Sequence, residues 1–253
     1  MILAAGQGLR LADPRGRPKC LREVGGAPLV RHQLDGLAAV GIDDVVIVVG
    51  YEQARIRDSV GSRARYVTND RFAETNSMYS FVLGQRVVYD DLLVMNSDVY
   101  CDPRMFGLLL EAKGDALLYD SSSGREHEQM KVHVRSGRTL VEMSKTLPPS
   151  RVSGENVGIL RLSRGTVEAT ADAAAALIAQ GHDRAWLAEA INVVAQEQPI
   201  RCVDVEGWPW VEIDFPEDLA KAREEVFPRV SRALELPMVD RQAALAVARG
   251  RAS

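Results

Sequence analysis

Leu3-Ala4-Ala5-Gly6-Gln7-Gly8-Leu9-Arg10-Leu11, followed by Arg17-Pro18-Lys19-Cys20-Leu21, is the stretch on which the reading of this chain turns. A short apolar run ends in small residues and two glycines, a basic loop follows, and a lysine stands just beyond it. Glycine at positions 6 and 8 lets the backbone turn sharply with no side chain between its amides and a ligand. Consecutive amides in such a turn form a concave anion site. Arg10 and Lys19 bring positive charge to the same place, so the local chemistry suits a polyphosphate. The spacing is neither the Walker pattern nor the dinucleotide-binding glycine pattern.

Outward from this stretch, strand and helix patterns alternate. Residues 28–40 have helical spacing and stop at Gly41, and Val45 to Gly50 is the continuous β-branched run of a strand buried on both faces. A short helix is predicted at 53–60, a strand at 65–68, and a helix at 76–88 that Thr75 or Asn76 can cap. Leu92 to Met95 reads as a further buried strand, and Asp102-Pro103 opens a helix to about Ala112. The succession calls for a doubly wound sheet with right-handed crossovers. In the middle, 116–119, 130–134, 140–143 and 157–162 read as short strands joined by polar turns. They suggest a small β-rich insertion over the carboxyl ends of the earlier strands. Helices follow at 166–180 and 186–196, strands at 201–205 and 210–213, a helix from Pro216 toward Phe227, and more helical sequence after Pro228. The expected architecture is a single-domain, doubly wound mixed α/β sheet over residues 1–227, with a helical tail at 228–253. That tail is left to pack on its own domain or on a second copy, as in a homodimer.

At 253 residues, 46% hydrophobic and 26% charged, the chain has the composition of a globular protein with a sizeable core. A net charge of −4 argues against nucleic acid as a partner, while a small anion needs only a local basic pocket. Cys20, Cys101 and Cys202 have neither zinc-ligand spacing nor a disulfide framework, which fits a reducing cytoplasm. No apolar run reaches the length of a membrane span.

Asp98 follows a buried strand, where ligands collect in open α/β sheets. Asp214 closes Trp210-Val211-Glu212-Ile213-Asp214, and strand alternation puts Glu212 on its face. Carboxylates meeting beside a phosphate loop repel unless a cation joins them. Magnesium (Mg2+) fits, because it takes one or two carboxylates together with phosphate oxygens and water.

The glycine string with Pro18-Lys19-Cys20-Leu21 resembles the signature of the nucleotidylyltransferases that make NDP-sugars and CDP-alcohols, over residues 1 to about 225. The resemblance implies a Rossmann-like nucleotidyltransferase fold, with Asp98 and Asp214 as metal ligands and Glu212 beside them. It implies attack by a phosphate or phosphonate oxygen on the α-phosphorus of an NTP, releasing pyrophosphate. The acceptor is already an anion, so the work is electrostatic: overcoming repulsion, aligning the anions and stabilising charge. Lys19 is expected at the α-phosphate, Arg10 at the β- and γ-phosphates, and Lys145 or Lys131 at the acceptor phosphate. Leu3, Ala4, Ala5, Gly6 and Gly8 are expected to cradle the nucleotide together with Asn76, Ser77 and Asp98. The string from Asn69 to Ser80 serves as a cap for the next helix, or it reads the base. It resembles the segment of the branch that uses CTP with phosphocholine, aminoalkyl phosphonates or polyol phosphates. Tyr100, Tyr119, Asp120, Glu155, Asn156, Trp186, Trp208 and Trp210 are expected to line the acceptor side, where aromatics beside carboxylates suit an ammonium group. Ser121 to Gly124 is read as a flexible turn of a loop that closes over substrate.

Two departures from the family stand out. Its chains carry several residues ahead of the position of Ile2, so the start lies upstream or the first strand is clipped. The link Ala12-Asp13-Pro14-Arg15-Gly16 also differs from the common strings. The competing readings are a sugar-1-phosphate nucleotidylyltransferase using UTP, dTTP or GTP, and a silent nucleotide-binding subunit. A glycosyltransferase with an Asp-x-Asp metal motif ranks low, because Asn96 stands at the first of those places.

Overall fold

The computed structural model describes residues 1–11, 16–123, 126–136 and 138–235. The chain opens with β1 (Ile2–Ala4), then a 3-10 turn at Lys19–Leu21 and a small hairpin, β2 (Glu23–Val24) and β3 (Ala27–Pro28). Next come α1 (Leu29–Ala39), β4 (Val46–Val49), α2 (Gln53–Val60), β5 (Arg65–Thr68), α3 (Ser77–Gln85), β6 (Leu92–Asn96), β7 (Val99–Cys101) and α4 (Arg104–Glu111). The middle holds β8 (Ala116–Asp120), β9 (Lys131–Arg135), β10 (Thr139–Ser144) and β11 (Gly154–Leu162), followed by α5 (Arg164–Ala179) and α6 (Leu187–Val194). The chain continues through β12 (Arg201–Asp204), β13 (Trp210–Glu212), α7 (Pro216–Lys221), a π turn at Ala222–Val226 and α8 (Phe227–Glu235).

Nine strands form one sheet in the order β5-β4-β1-β6-β11-β8-β12-β10-β9. β5, β4, β1 and β6 are mutually parallel, and β11 enters antiparallel between β6 and β8. Alternation sorts the strands' side chains between two cores. Ile2, Ala4, Ile47, Val49, Leu93 and Met95 face α1, α2 and α4. Leu3, Val48, Leu92, Val94, Leu117 and Leu160 face α3, α5 and α6. With a helical layer on each side, the central strands have no water-facing side, which is why their sequences read as unbroken apolar runs.

Two expectations are corrected. β8 and β11, read as part of an insertion over the strand ends, lie inside the main sheet; only the β9–β10 hairpin lies out at its edge. Single short apolar strands carry no signal of which neighbour they join. The expected break at Pro228 does not occur either, since the chain stays helical from Pro216 to Glu235. The widened π turn ends at Val226, two residues before Pro228, whose nitrogen has no hydrogen to give to an α-helical ladder. Val230 packs with Leu219, Val226 and Val211. The link 12–15, the glycine of the Ser121–Gly124 turn and the tail from 236 onward lie outside the described residues. No described helix is long and apolar enough to cross a membrane.

Candidate active site

The order β5-β4-β1-β6 means the chain winds one way from β1 and then returns to its other side. Ligands of open α/β sheets bind at the carboxyl ends of the strands flanking that reversal. A cavity of about 560 Å³ lies there, walled by Leu3 to Arg10 after β1 and by Asn96, Ser97 and Asp98 after β6.

Each functional side chain is held by a local device. Gly8 has φ +61°, and a β-carbon there would lie 2.5 Å from Lys19 Cγ. Nothing lies within 4 Å of where a β-carbon of Gly6 would stand, so the backbone is bare on the cavity side. Lys19 starts a 3-10 turn pinned by the buried Cys20 and Leu21. The Gln33 amide donates at 2.9 Å to the carbonyls of both Asn96 and Val99, bracketing Asp98. The amide of Ile213 donates to the Asp98 carbonyl at 2.9 Å, tying the end of β13 to the same turn. Asp218 Oδ2 accepts from the amides of Asp214 and Phe215, fixing Asp214 at the start of α7.

Lys19 Nζ joins the two aspartates: it lies 3.3 Å from Asp98 Oδ2 and donates to Asp214 Oδ1. Burial disfavours the lysine's charge, but Asp98, Asp214 and Glu212 together outweigh it and hold its pKa above the ordinary lysine value. Burial also pushes the Asp98 carboxyl up, partly opposed by Lys19 and reinforced by Asp214. Glu212 feels burial first, then Asp98 and Asp214, and is pushed up to about 8. Arg10 Nη2 sits 2.8 Å from Asp214 Oδ2, and its guanidinium lies 5.2 Å from the Phe215 ring centre.

The opposite wall carries the loop ahead of α3. Asn76 caps the helix by accepting from the Ser77 amide at 2.8 Å, while Ser77 Oγ accepts from the Leu187 amide at 2.9 Å. Asn69 donates to Thr75 Oγ1 and Ser80 Oγ, both at 3.1 Å. Capping is therefore realised, and Asn69, Thr75, Asn76, Ser77 and Ser80 all line the cavity as well. Lys145, Asn156 and Trp186 line its far side, with Lys145 Nζ 5.1 Å from the Trp186 ring centre.

Seven residues expected on the acceptor side are not brought to the cavity. Lys131 is buried, and its ammonium donates to the carbonyls of Lys145, His127 and Gln129. Trp210 Nε1 donates at 2.8 Å to Asp120 Oδ2, outside the cavity wall. Glu155 accepts from Ser123 Oγ, and Tyr100 is buried against His32 and Phe227. In β11, residue 156 faces the cavity while 155 points away from it, a one-residue alternation that composition does not reveal. Tyr119 and Trp208 also lie away from the cavity. Gly158 and Glu128 are among the wall residues that were missed. Gly158, at φ +79° where β11 bulges, lies against Asn96, and a glycine inside an apolar strand run signals such a bulge. Glu128 stands in a polar stretch without a motif.

The donor set can be tested against a divalent cation. Asp98 Oδ1 is buried with no hydrogen-bond partner, and Asp98 and Asp214 approach one another closely enough to share an ammonium. Two hard carboxylate oxygens fit magnesium, which completes its shell with phosphate and water. Among the described residues no group of three His, Cys, Asp or Glu side chains is arranged for a metal ion. Glu212 lines the same cavity beside this pair.

Residues 1–193 match the family model described as a MobA-like NTP transferase domain. The "Bifunctional IPC transferase and DIPP synthase" of Rubrobacter xylanophilus is 30% identical over 234 residues, 89% of this chain and 51% of the relative. The choline-phosphate cytidylyltransferase of Streptococcus pneumoniae is 34% identical over 110 residues, 42% of this chain and 47% of the relative. The chain thus spans about half the length of these curated relatives. The solved structure of a CTP:phosphocholine cytidylyltransferase from Streptococcus pneumoniae superposes with a TM-score of 0.70 at 23% identity, over 88% of this chain and 96% of that one. The inositol-1-phosphate CTP transferase from T. maritima gives 0.71 at 19% identity, over 89% and 96%. At these identities the two structures speak for a shared fold.

Proposed function

The chain belongs to the MobA-like NTP transferase domain family, and from that premise we propose that it transfers a nucleotidyl group from an NTP to a small phosphate or phosphonate acceptor, releasing pyrophosphate. The observation that carries the reading is the Lys19 ammonium held between Asp98 and Asp214, beside the bare turn of Gly6 to Gly8 at the sheet's reversal. CTP is the favoured donor. Its support is the Asn69–Ser80 string, together with relatives named for cytidylyl transfer.

In this reading an acceptor oxygen attacks the α-phosphorus, the new P–O bond forms, and the bridging α–β bond breaks with its electron pair leaving on pyrophosphate. No general base is needed for an anionic nucleophile. The backbone from Leu3 to Gly8 lies against the triphosphate. Lys19 supplies fixed positive charge to the α-phosphoryl group, which gains charge in the transition state, and Arg10 does so for the leaving phosphates. Asp98 and Asp214 would hold Mg2+, which supplies charge neutralisation and a template for the phosphate oxygens. Lys145 holds the acceptor phosphate, and Asn76 and Ser77 stand on the base side. A cytoplasmic setting is part of this proposal, and the free thiols of Cys20, Cys101 and Cys202 support it.

The test is pyrophosphate release by purified protein with magnesium, each of four NTPs, and phosphocholine, 3-aminopropylphosphonate, inositol 1-phosphate or glucose 1-phosphate. Turnover with CTP and one of the first three is expected, lost on adding EDTA and restored by magnesium. Turnover confined to UTP, dTTP or GTP with the hexose phosphate replaces the cytidylyl reading with the sugar-nucleotide one. Nucleotide binding without pyrophosphate in any combination leaves a silent subunit.

A further inference from the structure

Glu128, at the cavity mouth, has no part in that reaction. Its Oε2 accepts from Arg10 Nη1 at 2.8 Å and lies 3.5 Å from Lys145 Nζ. Two cations from distant parts of the chain, one on the glycine loop and one just after β10, thus converge on a single oxygen. Both are already fixed in place. Arg10 is held by Asp214 and rests on Phe215. Lys145 rests on Trp186, and its carbonyl accepts from the buried Lys131 ammonium at 2.8 Å. First Lys145 and then Arg10 hold the Glu128 carboxyl below its usual range. A guanidinium and an ammonium spaced to share one oxygen suit a phosphate at least as well as a carboxylate.

Resting on the nucleotidyl-transfer reading, but replacing the two separate phosphates it gives Arg10 and Lys145, we propose that these cations form one oxyanion subsite for a single substrate phosphate, and that the Glu128 carboxylate fills it until substrate arrives. The side chain of Glu128 is 54% exposed and that of Arg10 43%, and exposed pairs of this kind are individually weak. The occupant therefore yields readily, tuning affinity rather than blocking entry. Once the carboxylate swings away, the same two cations grip the incoming phosphate.

The experiment is calorimetric titration of tripolyphosphate and, separately, phosphocholine into wild type, Glu128→Gln, Glu128→Asp and the double variant Glu128→Gln/Arg10→Ala. Glu128→Gln should bind one of the two ligands roughly three- to tenfold tighter in low salt. That gain should shrink as salt is raised and vanish in the double variant. A gain for tripolyphosphate assigns the subsite to the NTP, and a gain for phosphocholine assigns it to the acceptor. Unchanged or weaker binding of both ligands in Glu128→Gln overturns the proposal, as does a gain that survives removal of Arg10. The titrations need no turnover. A protein that shows the gain yet releases no pyrophosphate sinks the proposed activity while leaving the subsite standing.

Discussion

Gly8 and Lys19 are packed so closely that a β-carbon on the first would lie 2.5 Å from Cγ of the second. The glycine turn therefore does two things at once. It presents bare backbone to the cavity, and it leaves a channel for the stem of the lysine that joins Asp98 to Asp214.

Gly8→Ala should accordingly injure activity beyond its effect on folding. The left-handed backbone alone costs about 1–2 kcal/mol of stability for a residue with a β-carbon. Displacing Lys19 should also lower kcat at least about tenfold, the scale of a misplaced catalytic group. Steady-state kinetics beside denaturant melts separate the two, and near-native kcat in a destabilised variant would remove the positioning role.

Lys19→Ala and Asp98→Ala should each lower kcat by at least about a hundredfold, as loss of an electrostatic stabiliser does. Lys19→Ala also removes the cation that holds the Asp98 and Glu212 carboxyls down, so those two should titrate still higher. Pyrophosphate-release kinetics on folded variants decide the point. Activity retained in either one excludes that residue from the mechanism.

Gln33, 3% exposed, reaches from α1 to donate to the carbonyls of both Asn96 and Val99. Gln33→Leu leaves both without that donor and should cost roughly 1–3 kcal/mol. Because those carbonyls bracket Asp98, kcat should fall with stability. Urea unfolding curves matching wild type would show that the turn stands without the amide.

Glu155 sets a pH dependence of stability. Burial, then the neighbouring Asp120 and Glu126, raise its carboxyl from the ordinary 4.5 to about 7, against the opposing bond from Ser123. The folded state thus holds a proton that the unfolded chain has already lost between these values, so stability falls as pH rises from about 4.5 through 7. The loss is on the order of 3 kcal/mol. Glu155→Gln keeps the acceptor for Ser123 and lacks the charge. It should match wild type near pH 5 and exceed it in stability near pH 8, as chemical denaturation at the two pH values would read; equal stability at both contradicts the shift.

The alternation of apolar runs with helical spacing was legible because each central strand is buried on both faces and each covering helix on one. The short helix at 53–60 and the strand at 65–68 followed from local pattern, and the helix expected at 76–88 forms over Ser77–Gln85 with Asn76 as its cap. Lys19, Asp98, Asp214 and Arg10 could be named because glycine turns and strand-end carboxylates leave marks within a few residues. The acceptor wall left none. Whether Asn156 or Glu155 faces the cavity depends on the register of β11 against β8, where a bulge at Gly158 shifts the pairing.

Sequence by itself determined the layered α/β plan, the glycine turn after β1 and the identity of the charged residues around it, since these rest on local backbone preference and on which residues must leave water. Only the tertiary structure decided that β11 runs antiparallel inside the sheet, that Lys131 is spent on backbone carbonyls, and that Arg10 and Lys145 meet on Glu128. Those outcomes turn on which separate segments come together, Arg10 and Glu128 being 118 residues apart, or on a one-residue register. A linear pattern carries neither.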